Sequence, residues 1–138
     1  MLRVAKQKKE AANLSNLKLR YMDARNIQYL PDTFDKVILS LVLHEVDEET
    51  AEEIIFSIKN VLKLNGELLV TEWEQSEEWW RKLLFLPIHL LEPKGFHEFL
   101  KKDLKVYFEQ YGFDVIEVVH CNYSKVYKLR LVDKTEYS

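Results

Sequence analysis

The fold is decided by residues 34–46, which read FDKVILSLVLHEV. The apolar part of this stretch, Val37 to Leu43, is interrupted only by Ser40 and lacks the alternation of a strand with one face in water. Short, nearly continuous apolar runs are typical of strands that are covered on both faces of a parallel sheet. We therefore expect a central strand here, buried on both sides.

Polar residues gather where this predicted strand ends. His44 and Glu45 follow its last apolar residue directly, and Ser40 lies within it. Ligands of open α/β sheets bind in the crevice beyond the carboxyl ends of the strands. The sequence therefore predicts a functional site at this end of the strand.

A helix and a second strand follow. Asp47 is a candidate N-cap, acidic residues fill the first helical turn, and apolar residues recur at helical spacing as far as Leu62. Asn65-Gly66 is expected to end the helix. Glu67 to Glu74 then forms a strand around an apolar centre. A strand, a helix and a strand of these lengths predict a parallel crossover unit.

The remaining elements flank this unit. Met1 to Ala12 is a helix candidate, and Leu17 to Tyr21 alternates polar and apolar residues as a half-exposed edge strand does. Gly95 to Tyr111 is an amphipathic helix that Gly112 should stop. The strands Phe113–Tyr123 and Lys125–Val132 should pair as an antiparallel hairpin at the end of the sheet.

Residues 75–94 differ in composition from the rest of the chain, because they contain two prolines and several aromatic residues. We interpret them as a helical piece that is broken at Pro87. Trp79 and Trp80 either pack in the core or a lid, or contact an apolar substrate.

Composition narrows the class of protein. The chain has 138 residues, 47% of them hydrophobic, with a net charge of −3, which indicates one domain and argues against a dedicated nucleic-acid binder. Cys121 is the single cysteine, so a reducing, cytoplasmic compartment is expected. No apolar run approaches the roughly 20 residues that span a bilayer, so no membrane partner is expected. A metal site is also not expected, since Glu48 stands where a zinc-binding motif starting at His44 needs a second histidine.

The ordered set of elements resembles the class I S-adenosylmethionine-dependent methyltransferases. The resemblance is carried by Asp23-Ala24 after a strand, a Leu30-Pro31 and Phe34-Asp35 lead-in, the strand that ends in Leu43-His44-Glu45-Val46, the helix closing with Leu62-Lys63-Leu64-Asn65-Gly66, and the terminal hairpin. It covers essentially the whole chain. It is closest to the small-molecule branch that is related to the ubiquinone/menaquinone methyltransferases. The implied fold is α/β, with a mostly parallel sheet and a C-terminal antiparallel hairpin.

The chain departs from this family at its beginning. The family opens with a strand, a Gly-x-Gly loop, a helix, and a second strand ending in an acid that holds the ribose. No residues here match those elements, and Met1 to Lys6 resembles the helix that follows them. We therefore expect residues 1–138 to form a single, N-terminally incomplete methyltransferase-like domain without the first strands.

The resemblance implies S-adenosylmethionine as the cofactor and assigns its site residue by residue. Asp23 matches the acid that accepts a hydrogen bond from the adenine amino group, and Ala24 offers its backbone N–H to the ring edge. Ser40 and Leu41 would line the cofactor near its sulfonium, mainly with backbone atoms. His44 would face the mouth of the site and is the candidate catalytic base. The alternatives without a ligand role are that Asp23 is a turn residue and that Ser40 is a small residue whose side chain bonds to the backbone.

The function that the resemblance implies is methyl transfer to a small-molecule acceptor. The alternative is a non-catalytic, truncated module with a structural or interaction role. Without the family's first strands, the edge of the Val37–Leu43 strand is open, and open apolar edges pair with other chains. We therefore expect a homodimer, formed through this edge or by exchange of the Met1–Ala12 helix.

Overall fold

The computed structural model describes residues 2–73, 103–121 and 124–135. In chain order, the elements of the described residues are α1 (Leu2–Ala11), β1 (Phe34–Ser40), a 3₁₀ turn (Leu43–Glu45), α2 (Glu48–Val61), β2 (Leu62–Trp73), α3 (Leu104–Gln110), β3 (Phe113–His120) and β4 (Ser124–Leu131). The expectations for residues 75–94, and for the start of the helix predicted from Gly95, lie outside the described residues.

The four strands form one mixed sheet in the order β1-β2-β4-β3. β1 and β2 are parallel, with Val37 opposite Leu68 and Ser40 opposite Thr71. β4 runs antiparallel to both β2 and β3, so the described strands make one parallel and two antiparallel pairings. The predicted α/β class and the C-terminal antiparallel hairpin are therefore confirmed.

The core lies on one face of this sheet. α2 and α3 both pack against this face, and Leu68 and Val70 of β2 point into the same hydrophobic core. The fully buried members are large and apolar, as a close-packed interior requires. They include Leu43, Ile55, Leu62, Leu68, Val70, Phe108, Phe113, Leu129 and Leu131.

α2 begins as the sequence predicts. The side chain of Asp47 accepts a 2.8 Å hydrogen bond from the backbone N–H of Thr50, which satisfies one donor of the first turn. The helix ends earlier than predicted, however, at Val61 instead of Asn65-Gly66. Gly66 is buried in β2, where an added Cβ would lie 2.7 Å from the carbonyl oxygen of Lys63. This glycine therefore permits a close backbone approach, which the prediction mistook for a helix end.

β1 differs from the predicted central strand in length and burial. It ends at Ser40, because Leu41 takes a left-handed conformation (φ 55°) that breaks the strand. Leu39 is buried, but Ile38 on the opposite face is 71% exposed. Since α2 and α3 cover the same face, the prediction of two covered faces is wrong for the described part of the chain.

The predicted edge strand Leu17–Tyr21 is also wrong. The structure gives these residues no regular secondary structure, and Tyr21 is 94% exposed. An alternating pattern sets which side chains share a face, but a strand also needs the edge of a neighbour to bond with. The prediction for the first helix is confirmed in α1, and Gly112, with φ 81°, follows the last turn of α3 as predicted.

Candidate functional site

The candidate site lies where β1 and β2 end. Because these strands are parallel, their carboxyl ends meet at one edge of the sheet, the usual place for a ligand in an open α/β fold. After Ser40, the chain turns at Leu41, whose N–H donates a 2.8 Å hydrogen bond to the carbonyl of Thr71 on β2. The 3₁₀ turn Leu43–Glu45 then brings His44 over the end of β2.

His44 and Glu72 form a buried pair at this edge. Nδ1 of His44 lies 2.6 Å from Oε2 of Glu72, and the two side chains are only 6% and 1% exposed. The other carboxylate oxygen, Oε1, accepts a 3.0 Å hydrogen bond from the backbone N–H of Leu43. Glu72 therefore holds both the imidazole ring and the turn that carries it. We call His44 and Glu72 the dyad.

The dyad defines which ring nitrogen carries the proton. An ionised carboxylate only accepts hydrogen bonds, so the 2.6 Å contact requires Nδ1 to be the donor when Glu72 is ionised. In the neutral ring, Nε2 then carries the lone pair. Nε2 lies 3.8 Å from Oε1 of Glu45, whose side chain is 75% exposed. A histidine oriented through one nitrogen by a carboxylate is the usual arrangement of a general base.

Trp73 completes this edge on the other side of β2. Successive strand residues point to opposite faces, so Trp73 lies on the face away from the core while Glu72 lies within it. The Trp73 and His44 rings are 6.4 Å apart between centroids and inclined at 72°. Ser40 and Thr71 are paired in register on the same outer face.

The predicted adenine-side residues lie elsewhere, in an exposed loop beside α2. The carboxylate of Asp23 accepts hydrogen bonds from the backbone N–H of Arg25 at 2.9 Å and from its side chain at 2.8 Å. These bonds, the side-chain one first, lower the pKa of Asp23 below its usual value. Arg25 also lies 3.9 Å from Glu53 of α2, and Ala24 is exposed.

The five predicted site residues thus fall into two groups. Ser40, Leu41 and His44 come together at the carboxyl end of β1, whereas Asp23 and Ala24 belong to the loop that Arg25 closes. The surface hollow beside Asp23 is lined by residues of that loop and of α2, such as Ser57 and Asn60.

Sequence reasoning missed Glu72. Its signal was available, because residues 68, 70 and 72 share one face of the strand and the first two are leucine and valine. An acid at the third inward position has to be paired or bonded when it is buried. The missing information was its partner, since His44 is 28 positions away in the sequence.

The described residues fit a methyl-donor cofactor only in part. The end of β1 and the turn at Leu41 place Ser40 and Leu41 at the same edge as His44, where the resemblance expects the sulfonium end of the cofactor. Asp23 fits only after a rearrangement, because both oxygens of its carboxylate already accept hydrogen bonds from Arg25. Within the described ranges, no cluster of three or more histidine, cysteine, aspartate or glutamate residues could hold a metal ion. No helix of that part of the chain has the length and apolarity to cross a membrane.

An α/β sheet with a polar site at its carboxyl edge defines a broad class of ligand-binding and transferase domains. Comparison with family profiles identifies the family within this class: one described as "Methyltransferase domain" matches residues 1–112. The chain therefore belongs to this methyltransferase family, and the resemblance found in the sequence is confirmed at that level.

Solved structures share the fold. A SAM-dependent methyltransferase from Aquifex aeolicus superposes with a TM-score of 0.70 at 18% identity, over 94% of this chain and 63% of its own. A methyltransferase from Methanosarcina mazei gives 0.69 at 15% identity, over 96% of this chain and 77% of its own. The Burkholderia thailandensis 1,6-didemethyltoxoflavin-N1-methyltransferase, solved with S-adenosylhomocysteine, gives 0.67 at 10% identity, over 93% and 57%.

These likenesses establish the fold alone. This chain spans 63% of the Aquifex protein's length and 57% of the Burkholderia protein's. A comparison with curated proteins gave no match.

Proposed function

We propose that this chain transfers a methyl group from S-adenosylmethionine to a small molecule, with His44 as the general base and Glu72 as the residue that orients it. The observation that carries the proposal is the buried 2.6 Å contact between their side chains at the carboxyl edge of the sheet. Membership of a methyltransferase family supports the reaction class, and the S-adenosylhomocysteine bound to the Burkholderia neighbour supports the cofactor.

The cofactor, when bound, supplies a methyl group on a positively charged sulfur. The residues proposed to hold it are Ser40 and Leu41 near that sulfur, with Asp23 and Ala24 at the adenine. For Asp23 to accept a bond from adenine, Arg25 has to release part of the carboxylate. Binding by this chain alone should therefore be weak.

The dyad gives the proposed reaction its proton acceptor. Nε2 of His44 takes the proton that the acceptor's nucleophile loses, and the carboxylate of Glu72 stabilises the imidazolium through Nδ1. Methyl transfer otherwise depends on positioning and exclusion of water, so few further catalytic side chains are needed.

The finer assignments are part of the same proposal. We assign the chain to the branch that is related to ubiquinone and menaquinone methyltransferases, on the ordered set of sequence motifs that runs from Asp23-Ala24 to the terminal hairpin. The single, exposed Cys121 supports a cytoplasmic location.

The second candidate function is a non-catalytic interaction module. One observation favours it: the carboxylate of Asp23 is bonded to Arg25.

The test compares His44→Ala with His120→Ala, which changes an exposed histidine on β3. Release of S-adenosylhomocysteine is measured with a panel of small phenols, enols and amines, and cofactor affinity by calorimetry. A base contributes about 10²–10⁴-fold, so His44→Ala should lower kcat by that factor and leave the cofactor Kd unchanged. His120→Ala should behave as wild type. An unchanged kcat in His44→Ala would remove His44 from the mechanism, and cofactor binding without any turnover would favour the non-catalytic module.

We also propose that two copies of the chain associate. β1 ends the strand order, its Ile38 is 71% exposed, and α1 contains no buried residue. An apolar strand edge recruits another strand, and a ten-residue helix that buries none of its residues is marginal in water. The two routes are pairing through β1 and exchange of α1.

Light scattering separates the two routes. Ile38→Lys places a charge on β1 and should give monomers if this strand makes the dimer, whereas Ile116→Lys on β3 should not change the mass. If exchange of α1 makes the dimer, Ile38→Lys keeps the dimer mass and removal of residues 1–12 halves it. A monomeric wild-type chain at micromolar concentration would refute both routes.

A further inference from the structure

We propose that Trp73 is the platform on which the methyl acceptor lies, and that the acceptor is a flat aromatic compound bearing a hydroxyl group. This inference rests on the proposed function, because it deepens the same site. It concerns a residue for which the sequence pattern predicted no role.

The position of Trp73 carries the argument. The residue ends β2, directly after Glu72, and its side chain is on the opposite face of the strand. His44 meets both residues, through the 2.6 Å bond to Glu72 and through the 6.4 Å separation of its ring from the indole. The indole is therefore fixed beside the proposed base by the same strand that orients that base.

Trp73 is exposed enough for its indole ring to contact a ligand. Glu72 is 1% exposed, whereas Trp73, one residue later, is 43% exposed. A tryptophan buries more apolar area than almost any other side chain, and its face stacks on planar rings in an offset or edge arrangement. A half-exposed indole beside a buried dyad thus offers a flat apolar surface within reach of the base.

The neighbours of Trp73 on the outer face are small or apolar. Ser124 lies opposite it on β4, and the next row along the sheet is Ser40, Thr71 and Val126. Charged side chains of this face begin one row further down, with Lys128, and continue in the row after it with Lys36 and Glu67, where both lysines form ion pairs with Glu67. The row beside Trp73 therefore suits an uncharged ring better than a phosphate or a carboxylate.

The dyad specifies the reactive group. A base is needed only where the nucleophile loses a proton as it reacts, which holds for a phenol or an enol and not for a tertiary amine or a thioether. The planar ring expected on Trp73 and the proton that the nucleophile loses to His44 together define the class of acceptor, a planar aromatic hydroxyl compound.

Binding is tested by NMR without the cofactor. The full chain is titrated with 2-naphthol and, in parallel, with decahydro-2-naphthol, a saturated alcohol of the same carbon skeleton. The indole N–H resonance of Trp73 is identified as the one that is missing in Trp73→Phe. Naphthol should shift this resonance and those of the His44 ring, and the saturated alcohol should not.

Substitutions give the expected size of the effect. Stacking on an aromatic side chain predicts that Trp73→Leu weakens naphthol binding by about tenfold, while Trp73→Phe stays within about threefold of wild type. Unchanged thermal melting of both variants shows that the fold is intact. Equal affinity for the two alcohols, wild-type affinity in Trp73→Leu, or no binding of naphthol would each overturn the proposal.

His44→Ala separates this proposal from the proposed function. If it abolishes turnover and naphthol still shifts Trp73, both stand. If turnover survives in His44→Ala while naphthol binds at Trp73, the base is wrong and the platform stands. If turnover is lost but naphthol never shifts Trp73, the platform is wrong and the base stands.

Discussion

The two longest described helices show what separates a helical pattern from a packed helix. α1 has ten residues and none is buried, whereas α2 has fourteen, of which six are buried, and an aspartate caps its first turn. Both have apolar residues at helical spacing, but only α2 has a sheet face to cover. Stability therefore comes from the surface that a helix meets more than from its own propensity.

The candidate site follows the same division. The dyad is attached to the packed part of the molecule, through the end of β2, and both its side chains are buried. Asp23 belongs to the N-terminal part, where its side chain is 52% exposed and bonded to its neighbour Arg25. We therefore expect the acceptor end of the site to be preorganised and the adenine end to need rearrangement.

The largest effect should come from the buried face of α2. Ile55 is completely buried, so Ile55→Ala leaves a cavity in the core and should lower the free energy of unfolding by about 2–5 kcal/mol. The matched change on α1, Leu2→Ala, should stay within about 0.5 kcal/mol of wild type, since Leu2 is 40% exposed. Urea unfolding measures both. A loss in Leu2→Ala as large as that in Ile55→Ala would show that α1 is packed in solution.

Local signals of the sequence predicted their elements well. The cap at Asp47, the apolar spacing of α2, the glycine after α3 and the terminal hairpin depend on residues that are close in the chain, and the structure confirms them. The errors arose where distant parts decide. Burial of Ile38 depends on which face of the sheet the helices pack against. The alternating pattern at Leu17–Tyr21 does not ensure that a neighbouring strand is present to pair with it.

The candidate site was predictable to the same extent. A functional edge after Ser40 followed from the apolar run and from the polar residues behind it. The dyad did not follow, because hydrogen bonds between His44 and Glu72 depend on the register in which β1 and β2 pair. The proposed roles of Asp23, Ala24, Ser40 and Leu41 stay predictions.

A smaller effect is expected at the start of α2. Asp47→Ala removes the acceptor of the Thr50 N–H, so the helix loses its cap and the melting midpoint should fall by a few degrees. Asp35→Ala is the matched control, because it removes an exposed aspartate that pairs with Lys63 at the surface and should change the midpoint little. Calorimetry of the three proteins checks this prediction. Equal shifts in the two variants would contradict a role for the cap.

The smallest effect is a pH dependence at the same residue. Hydrogen bonding from the backbone of Thr50 lowers the pKa of Asp47 below its ordinary 3.8. The folded carboxyl group then binds a proton less readily than the unfolded one. Its contribution is therefore fully present above the unfolded pKa and is lost as pH falls through the folded pKa.

Asp47→Asn isolates this contribution, because asparagine is an equally good cap but does not titrate. At neutral pH the wild type should melt slightly higher than Asp47→Asn, since a negative charge favours the N-terminus of a helix. At a pH below the folded pKa the wild-type carboxyl group is protonated, and that advantage should disappear. Melting midpoints of both proteins at the two pH values measure the difference. A gap of the same size at both would mean that the charge of Asp47 contributes nothing and that its oxygen atom alone caps α2.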